Sequence, residues 1–455
     1  MSTTTEFDST EQTGIAGQGE GTERHRTTDQ DLADGQPTTE QVRQDALAPV
    51  ELGAPANALA HPDDTGVGGK PLGLREHSHG GSAPATSKGE RPASFEVDDF
   101  ARPTGREEEW RFTPLDRLQA LFAGEPTPAR LDWASELPDG VTVTDIPAGD
   151  PRLRQVPAPA DRLAALAHDR AGGAVHVDVA RAAVLSAPVQ LVLTGRSVTD
   201  TVYGHTIVDL GAQSVATVVL DHRGSAQYDG AVTVRVGDAA QATVVTVQDW
   251  DDDAVHAGQH DIVVGRDASV RHVAVSFGGS LVRLTTNVSY AGPGGRAELL
   301  GVYFADAGQH LEHRLFVDHA QPHCTSDVTY RGALQGQDAH AVWVGDVLIR
   351  SSAEGTSTYE QNRNLVLTEG ARVDSIPNLE IETGEIEGAG HASTTGRFDD
   401  EQLFYLQARG IPEAEARRLV VFGFFTELIN RIGVAGLQER LVAAVERELS
   451  VAVAA

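Results

Sequence analysis

The chain contains a single cysteine, Cys324, in 455 residues. It cannot close a disulfide within itself. It also cannot hold a permanent iron–sulfur cluster on its own thiolates, which takes about four. Basic residues are in deficit: 36 Lys and Arg face 66 Asp and Glu, for a formal net charge of −30. Such a chain repels nucleic acid and anionic membrane surfaces, so neither is expected as a partner. No apolar run approaches the roughly 18 residues of a transmembrane helix. The opening Met-Ser-Thr-Thr-Thr-Glu lacks the basic and apolar regions of a signal peptide. A soluble, cytoplasmic protein is the expectation. Three nucleotide and metal signatures are missing as well: GxxxxGK[ST], GxGxxG within a βαβ unit, and HExxH. An ATPase and a zincin-type hydrolase are thereby disfavoured.

What is present falls into four stretches. Residues 1–93 are rich in Gly, Thr, Glu, Asp, Pro and Gln without a sustained period. That composition buries too little apolar surface to offset its ordering entropy, so an acidic disordered tail is expected. Its His77 and His79 read as part of a solvated linker. Residues 94–173 suggest a small, irregular, helical N-terminal domain. Pro114 can open a helix with Leu115, Leu118, Leu121 and Phe122 on one face, and a second short helix fits Asp161 to Asp169.

From Ala174 the period changes to two. Val175, Val177 and Val179 alternate, as do Val189, Leu191 and Leu193. Strands follow at Val232–Val236, Ala242–Val247, Val270–Phe277 and Leu299–Phe304. A small-residue turn precedes several of them: Gly211-Ala-Gln-Ser, Gly237-Asp-Ala-Ala, Gly265-Arg-Asp-Ala and Gly295-Arg-Ala. The intervals are about 26–30 residues, which suits a solenoid stacking strand on strand. The fold class expected is mainly β, a right-handed β-helix-like solenoid over 174–390, flanked by small helical domains. Residues 391–455 read as the C-terminal one. A helix begins near Asp399 with Gln402 as a capping partner and ends at Gly410. Pro412 opens another, carrying Phe422, Phe425, Leu428, Ile429 and Ile432, and a third runs from Leu437 to Leu449.

Two places could carry chemistry. His391 sits in the small, polar run Gly388-Ala-Gly-His-Ala-Ser-Thr-Thr-Gly396, read as a loop between the strands and the helices. Imidazole is a borderline ligand suited to iron and zinc, and small neighbours allow close approach. Cys324 follows His319 and His323, with His310 and His313 upstream, which resembles a zinc set on paper. However, neighbours on a regular strand face opposite sides.

Three runs carry a family resemblance. They are Pro377-Asn-Leu-Glu-Ile381, Gly390-His-Ala-Ser-Thr-Thr-Gly396, and Asp399-Asp-Glu-Gln-Leu-Phe-Tyr-Leu-Gln-Ala-Arg-Gly-Ile411. Together they resemble the C-terminal signature of the SufB/SufD family, subunits of the SUF iron–sulfur cluster assembly machine. Glu109-Trp-Arg-Phe-Thr-Pro-Leu115 resembles that family's N-terminal motif. The likeness covers about residues 94–440, and the His391 context and the shortage of cysteines look like SufD. It implies a non-catalytic scaffold with no tightly bound cofactor. The solenoid would pair with SufB, and the C-terminal helices, through Phe422, Phe425, Leu428, Ile429 and Ile432, would dock the ABC-type ATPase SufC. A transient Fe–S cluster would form at the SufB interface, with His391 as a metal ligand and Cys324 near that interface. One departure stands out: many relatives carry a cysteine two residues before this histidine, and here it is Ala389. The alternatives are a SufB-like subunit holding the cluster itself, or a β-solenoid enzyme acting on carbohydrate.

Overall fold

Val-rich segments with alternating side chains account for about half of the described structure. The computed structural model describes residues 87–454, apart from 399 and 435. The strands are β1 Asp132–Glu136, β2 Val141–Pro147, β3 Gly173–Val179, β4 Val189–Leu210, β5 Val215–Val236, β6 Gln241–Trp250, β7 Val255–Val264 and β8 Ser269–Ser276. They continue as β9 Leu281–Tyr290, β10 Arg296–Ala305, β11 His310–His319, β12 Thr325–Leu334, β13 His340–Ile349, β14 Ser357–Val366, β15 Arg372–Ile381 and β16 Gly388–Arg397.

Strand β5 spans two faces: its first half pairs with β6 and its second with β7, both parallel. From there each coil gives one strand to each face. One face runs β7-β9-β11-β13-β15 and the other β6-β8-β10-β12-β14-β16. The architecture is the expected mainly-β parallel solenoid, of about eight turns.

The turns that enter the second face are also stacked. Gln213, Ala239, Asp267, Gly294, His323 and Gly355 all have positive φ, between 54° and 75°. Left-handed backbone costs a non-glycine residue about 1–2 kcal/mol. Each of these residues donates its N–H to the turn of the following coil, for example Ala239 to the Arg266 carbonyl at 2.9 Å and His323 to the Glu354 carbonyl at 2.7 Å. The small-residue turn signal in the sequence is this ladder.

Inside, equivalent residues of successive coils stack. Gly301 and Gly332 lie on adjacent strands because the rings of Tyr330 and Tyr303 fill the space their side chains would need. Val218, Val244, Leu299 and Val328, with His272 between Val244 and Leu299, form one buried interior column. Each such aliphatic side chain contributes about 1.5–3 kcal/mol when fully buried.

Both outer faces are covered, which explains strands buried along nearly their whole length such as β8. Helix α1 (Gln119–Ala123), helix α2 (Arg162–Arg170) and Trp110 pack on one of them through Leu118, Leu121, Phe122, Leu163 and Leu166. Asp161 caps α2 by accepting from the Ala164 N–H at 2.9 Å. Buried Glu312 anchors this layer, accepting from Thr113 Oγ1 at 2.8 Å and facing Arg283 and Arg314. Burial opposes its charge, but the His310 hydrogen bond and the two guanidiniums outweigh this and hold it well below the usual carboxylate range.

The C-terminal helices are α3 Asp400–Ala408, α4 Glu413–Ile432 and α5 Leu437–Ala454. Pro412 is the N-cap of α4, and Gly410 has φ 83°. Asp399 and the side chain of Gln402, expected to cap α3, lie outside the described residues. No described helix is long and apolar enough to cross a membrane.

The strands extend past the expected 174–390. β1 and β2 fall in the stretch read as helical and irregular, and they pair antiparallel with β4 and β3. β16 takes in the run read as a loop, so His391 lies on a strand. Of the expected tail, residues 1–86 lie outside the described residues. The remainder is placed on the solenoid: Arg91 pairs with Asp346 at 3.0 Å and lies over the Phe316 ring.

Candidate functional site

Strand β16 is built of Gly, Ala, Ser and Thr around one histidine, and its composition alone reads as a turn. It is a strand because β14 supplies a partner in parallel register over its whole length, Ser357↔Gly388 through Val366↔Arg397. Nothing among the described residues pairs with its other edge, nor with the outer edge of β15. The last coil therefore leaves two strand edges open. Its residues are only partly buried, whereas β13 one coil earlier is buried along nearly its whole length.

At this end the interior changes character. The column Val218, Val244, His272, Leu299, Val328 continues as Glu360 and then His391. Two residues further along, Tyr330 is followed by Asn362 and Ser393; two further again, Gly332 is followed by Asn364 and Thr395. A hydrogen-bonded chain runs outward through these groups. Asn362 Nδ2 donates to the Tyr303 hydroxyl at 3.0 Å. Ser375 Oγ donates to Asn362 Oδ1 at 2.6 Å, and Ser393 Oγ to Ser375 Oγ at 2.7 Å. The mouth of the solenoid is polar where its middle is apolar.

His391 sits at the rim with 43 % of its side chain exposed. Its Nδ1 lies 3.8 Å from Oε1 of Glu360, whose side chain is 2 % exposed. That separation is too long for a hydrogen bond. Neither Glu360 oxygen meets a donor with sound geometry. Burial, with the charge of Asp346 behind it, pushes this carboxyl up to about 8, and the Asn378 backbone offsets only part of the effect. Gly345 makes the room: a Cβ there would stand 2.3 Å from Glu360 Oε2. Ala389, where a thiol was a family expectation, points no donor at the site.

Sequence reasoning passed over Glu360, which reads as one polar residue in Tyr359-Glu-Gln-Asn362. The signal was available. Aligning the coils on their turns places it in a column of Val and Leu interrupted once by His272.

Cys324 is elsewhere. It occupies the turn ladder directly after His323, at the position held by Ser214, Ala240, Ala268 and Gly295 in earlier coils. It is buried, and burial raises its thiol pKa despite the backbone amides of Gly295 and Gly294. It is two rungs from β16 and enclosed in the core. The zinc-like set does not assemble: His313 stacks on Tyr303 and His319 on Tyr290. No group of three or more metal-ligating side chains occurs among the described residues.

The expected docking residues are also placed differently. Phe425, Leu428, Ile429 and Ile432 are buried against Val245, Val273, Leu300 and Val302 of the solenoid, and Phe422 is half-buried on the same helix. Arg431 pins α4 to Glu298 at 2.8 Å and to Asp327. These four side chains are intrachain core and present nothing to a partner. The exposed aromatics of this region are Phe404, 72 % exposed, and Tyr405, 57 % exposed, on α3.

The family model described as "SUF system FeS cluster assembly, SufBD core domain" matches residues 192–424. An iron–sulfur cluster assembly SufBD family protein of Mycobacterium bovis is 54 % identical over 375 residues, covering 81 % of this chain and 94 % of that protein. One from Mycobacterium leprae is 52 % identical over 379 residues, covering 82 % and 97 %. The iron–sulfur cluster assembly protein SufD of Escherichia coli is 24 % identical over 385 residues, covering 76 % and 89 %. With the solenoid built as described and these matches along most of its length, the chain belongs to the SufBD family of iron–sulfur cluster assembly proteins.

Proposed function

We propose that this chain is a SufD-like, non-catalytic scaffold subunit acting in the cytoplasm. It pairs with a SufB-like subunit through the open end of its solenoid. The nascent Fe–S cluster is cargo, built at that junction with His391 as one ligand and then passed on. The observation that carries the reading is the unpaired pair of edges on β15 and β16 with His391 between them and solvent. Open parallel edges expose backbone N–H and C=O groups that another sheet can satisfy. With no exposed thiol on the described residues, the chain is poorly equipped to hold a cluster unaided, which argues against the SufB-like alternative.

The ATPase of the SufC type docks on the C-terminal helices. Because the apolar face of α4 is already used within the chain, the docking contact falls to α3, where Phe404 and Tyr405 stand exposed.

Co-expression with SufB-like and SufC-like subunits from the same source tests this. A defined hetero-oligomer by light scattering is expected. Phe404→Ser combined with Tyr405→Ser releases the ATPase and keeps the SufB-like partner. His391→Ala keeps the complex and abolishes complementation of a SUF-deficient strain. A chain that elutes alone while the other two associate defeats the proposal.

A further inference from the structure

Most other buried carboxylates among the described residues are met by partners, Asp229 Oδ2 being an exception. Glu312 has Thr113, His310, Arg283 and Arg314, and Asp346 has Arg91 and Asn378. Glu360 breaks that pattern. It is 1 % exposed, and both of its oxygens lack a hydrogen bond among the described residues. Taking an unpaired carboxylate out of water costs several kcal/mol. Packing does not call for it, since the coils beneath fill this column with Leu299 and Val328. Gly345 is shaped around it.

The second feature is its neighbour. His391 Nδ1 stands 3.8 Å from Glu360 Oε1, with the imidazole at the solvent-facing rim. Two donors each about 2.1 Å from one cation are about 3.0–3.5 Å apart at tetrahedral or octahedral angles. A small rotation of the half-exposed ring closes the difference. Oxygen and imidazole donors without a thiolate suit ferrous iron, with water filling the remaining positions.

We propose that Glu360 is a second metal ligand, which together with His391 forms a two-donor carboxylate–imidazole site for ferrous iron at the mouth of the solenoid. This deepens the reading of His391 given above and rests on it. Iron held this way lies at the face where a partner's donors and sulfide meet it, so this subunit supplies nitrogen and oxygen while sulfur comes from the other side. Binding exchanges coordinated water for Glu360 and His391 and releases the carboxyl proton of Glu360 to solvent, with no change in oxidation state.

The test is anaerobic equilibrium dialysis of the full chain against ferrous ammonium sulfate, with iron counted per chain and thermal melting recorded with and without the metal. Histidines outside the site add the same background to every variant, so differences are what is read. Glu360→Gln keeps the shape and replaces a buried carboxyl with a neutral amide, so it folds. It is expected to lose one iron relative to the parent, or to bind it at least about tenfold more weakly, and to lose the iron-dependent rise in melting temperature. Glu360→Asp keeps the carboxylate one methylene short and falls between. Parent-like iron binding by Glu360→Gln overturns the inference. If His391→Ala still loses iron in that case, the histidine reading survives without Glu360.

Discussion

The two ends of the solenoid are finished in opposite ways. At the start, β1 and β2 run antiparallel to the coils, and α1 and α2 pack close by on the adjoining outer face. There the inner residues of β3 and β4, Val177, Val179, Val189 and Leu191, are fully buried. At the finish, β15 and β16 have open edges, and the inner positions are Glu360, Asn362, Asn364, His391, Ser393 and Thr395. One end is covered by the antiparallel strands β1 and β2, whose own outer edges also pair with nothing among the described residues, and is apolar within. The other is left for something else and is polar within. A solenoid needs capped ends to remain soluble, and the proposed pairing with a second solenoid would cover the polar end here.

The contrast is sharpest within one column of the interior. Leu299→Ala removes a buried side chain in the middle and is expected to cost about 2–5 kcal/mol in urea unfolding. His391→Ala, in the same column at the rim, is expected to change stability by less than about 0.5 kcal/mol while abolishing cluster assembly. Equal stability losses for the two would break the comparison.

Glu360 predicts an inverted pH dependence. Its folded-state carboxyl is raised to about 8 from the ordinary 4.5. The stability tied to its protonated form is complete below the ordinary value and is lost as pH rises through the folded one. The slope reaches at most about 1.4 kcal/mol per pH unit. Glu360→Gln is expected to flatten this part of the profile and to be the more stable protein at pH 8, as read by urea midpoints between pH 5 and 8.

Cys324→Ala tests whether the thiol belongs to the core or to the working end. Alanine already fills the same rung at Ala240 and Ala268, so a loss of about 1 kcal/mol or less and full complementation are expected. Loss of assembly with an unchanged melting temperature would move Cys324 to the functional side. The smallest effect belongs to the covered end. Arg196 and Asp132 form an ion pair between β4 and β1 that is largely exposed, and Arg196→Ala is expected to shift stability by no more than about 0.5 kcal/mol.

How much was legible beforehand follows the same division. Strands of the middle coils declare themselves through alternating Val and small-residue turns, because packing dictates both. β16 did not, because at the open end no core selects large side chains, and only its pairing with β14 makes it a strand. β1 and β2 are short, half-exposed and set among prolines, so their alternation is faint. The apolar face of α4 was plain in the sequence, but periodicity says that a face is covered without saying by what. Phe425, Leu428, Ile429 and Ile432 turned out to be covered by the chain itself. His391 was found through its surroundings, whereas Glu360 required knowing which residues share a column.

The enclosed position of Cys324 has a practical consequence. A thiol that is both out of reach and held neutral reacts slowly with oxidants and alkylating reagents. Among the described residues this subunit is thus silent to sulfur chemistry. In the proposed complex, fast thiol labelling or oxidation would then report on the partner subunits rather than on Cys324.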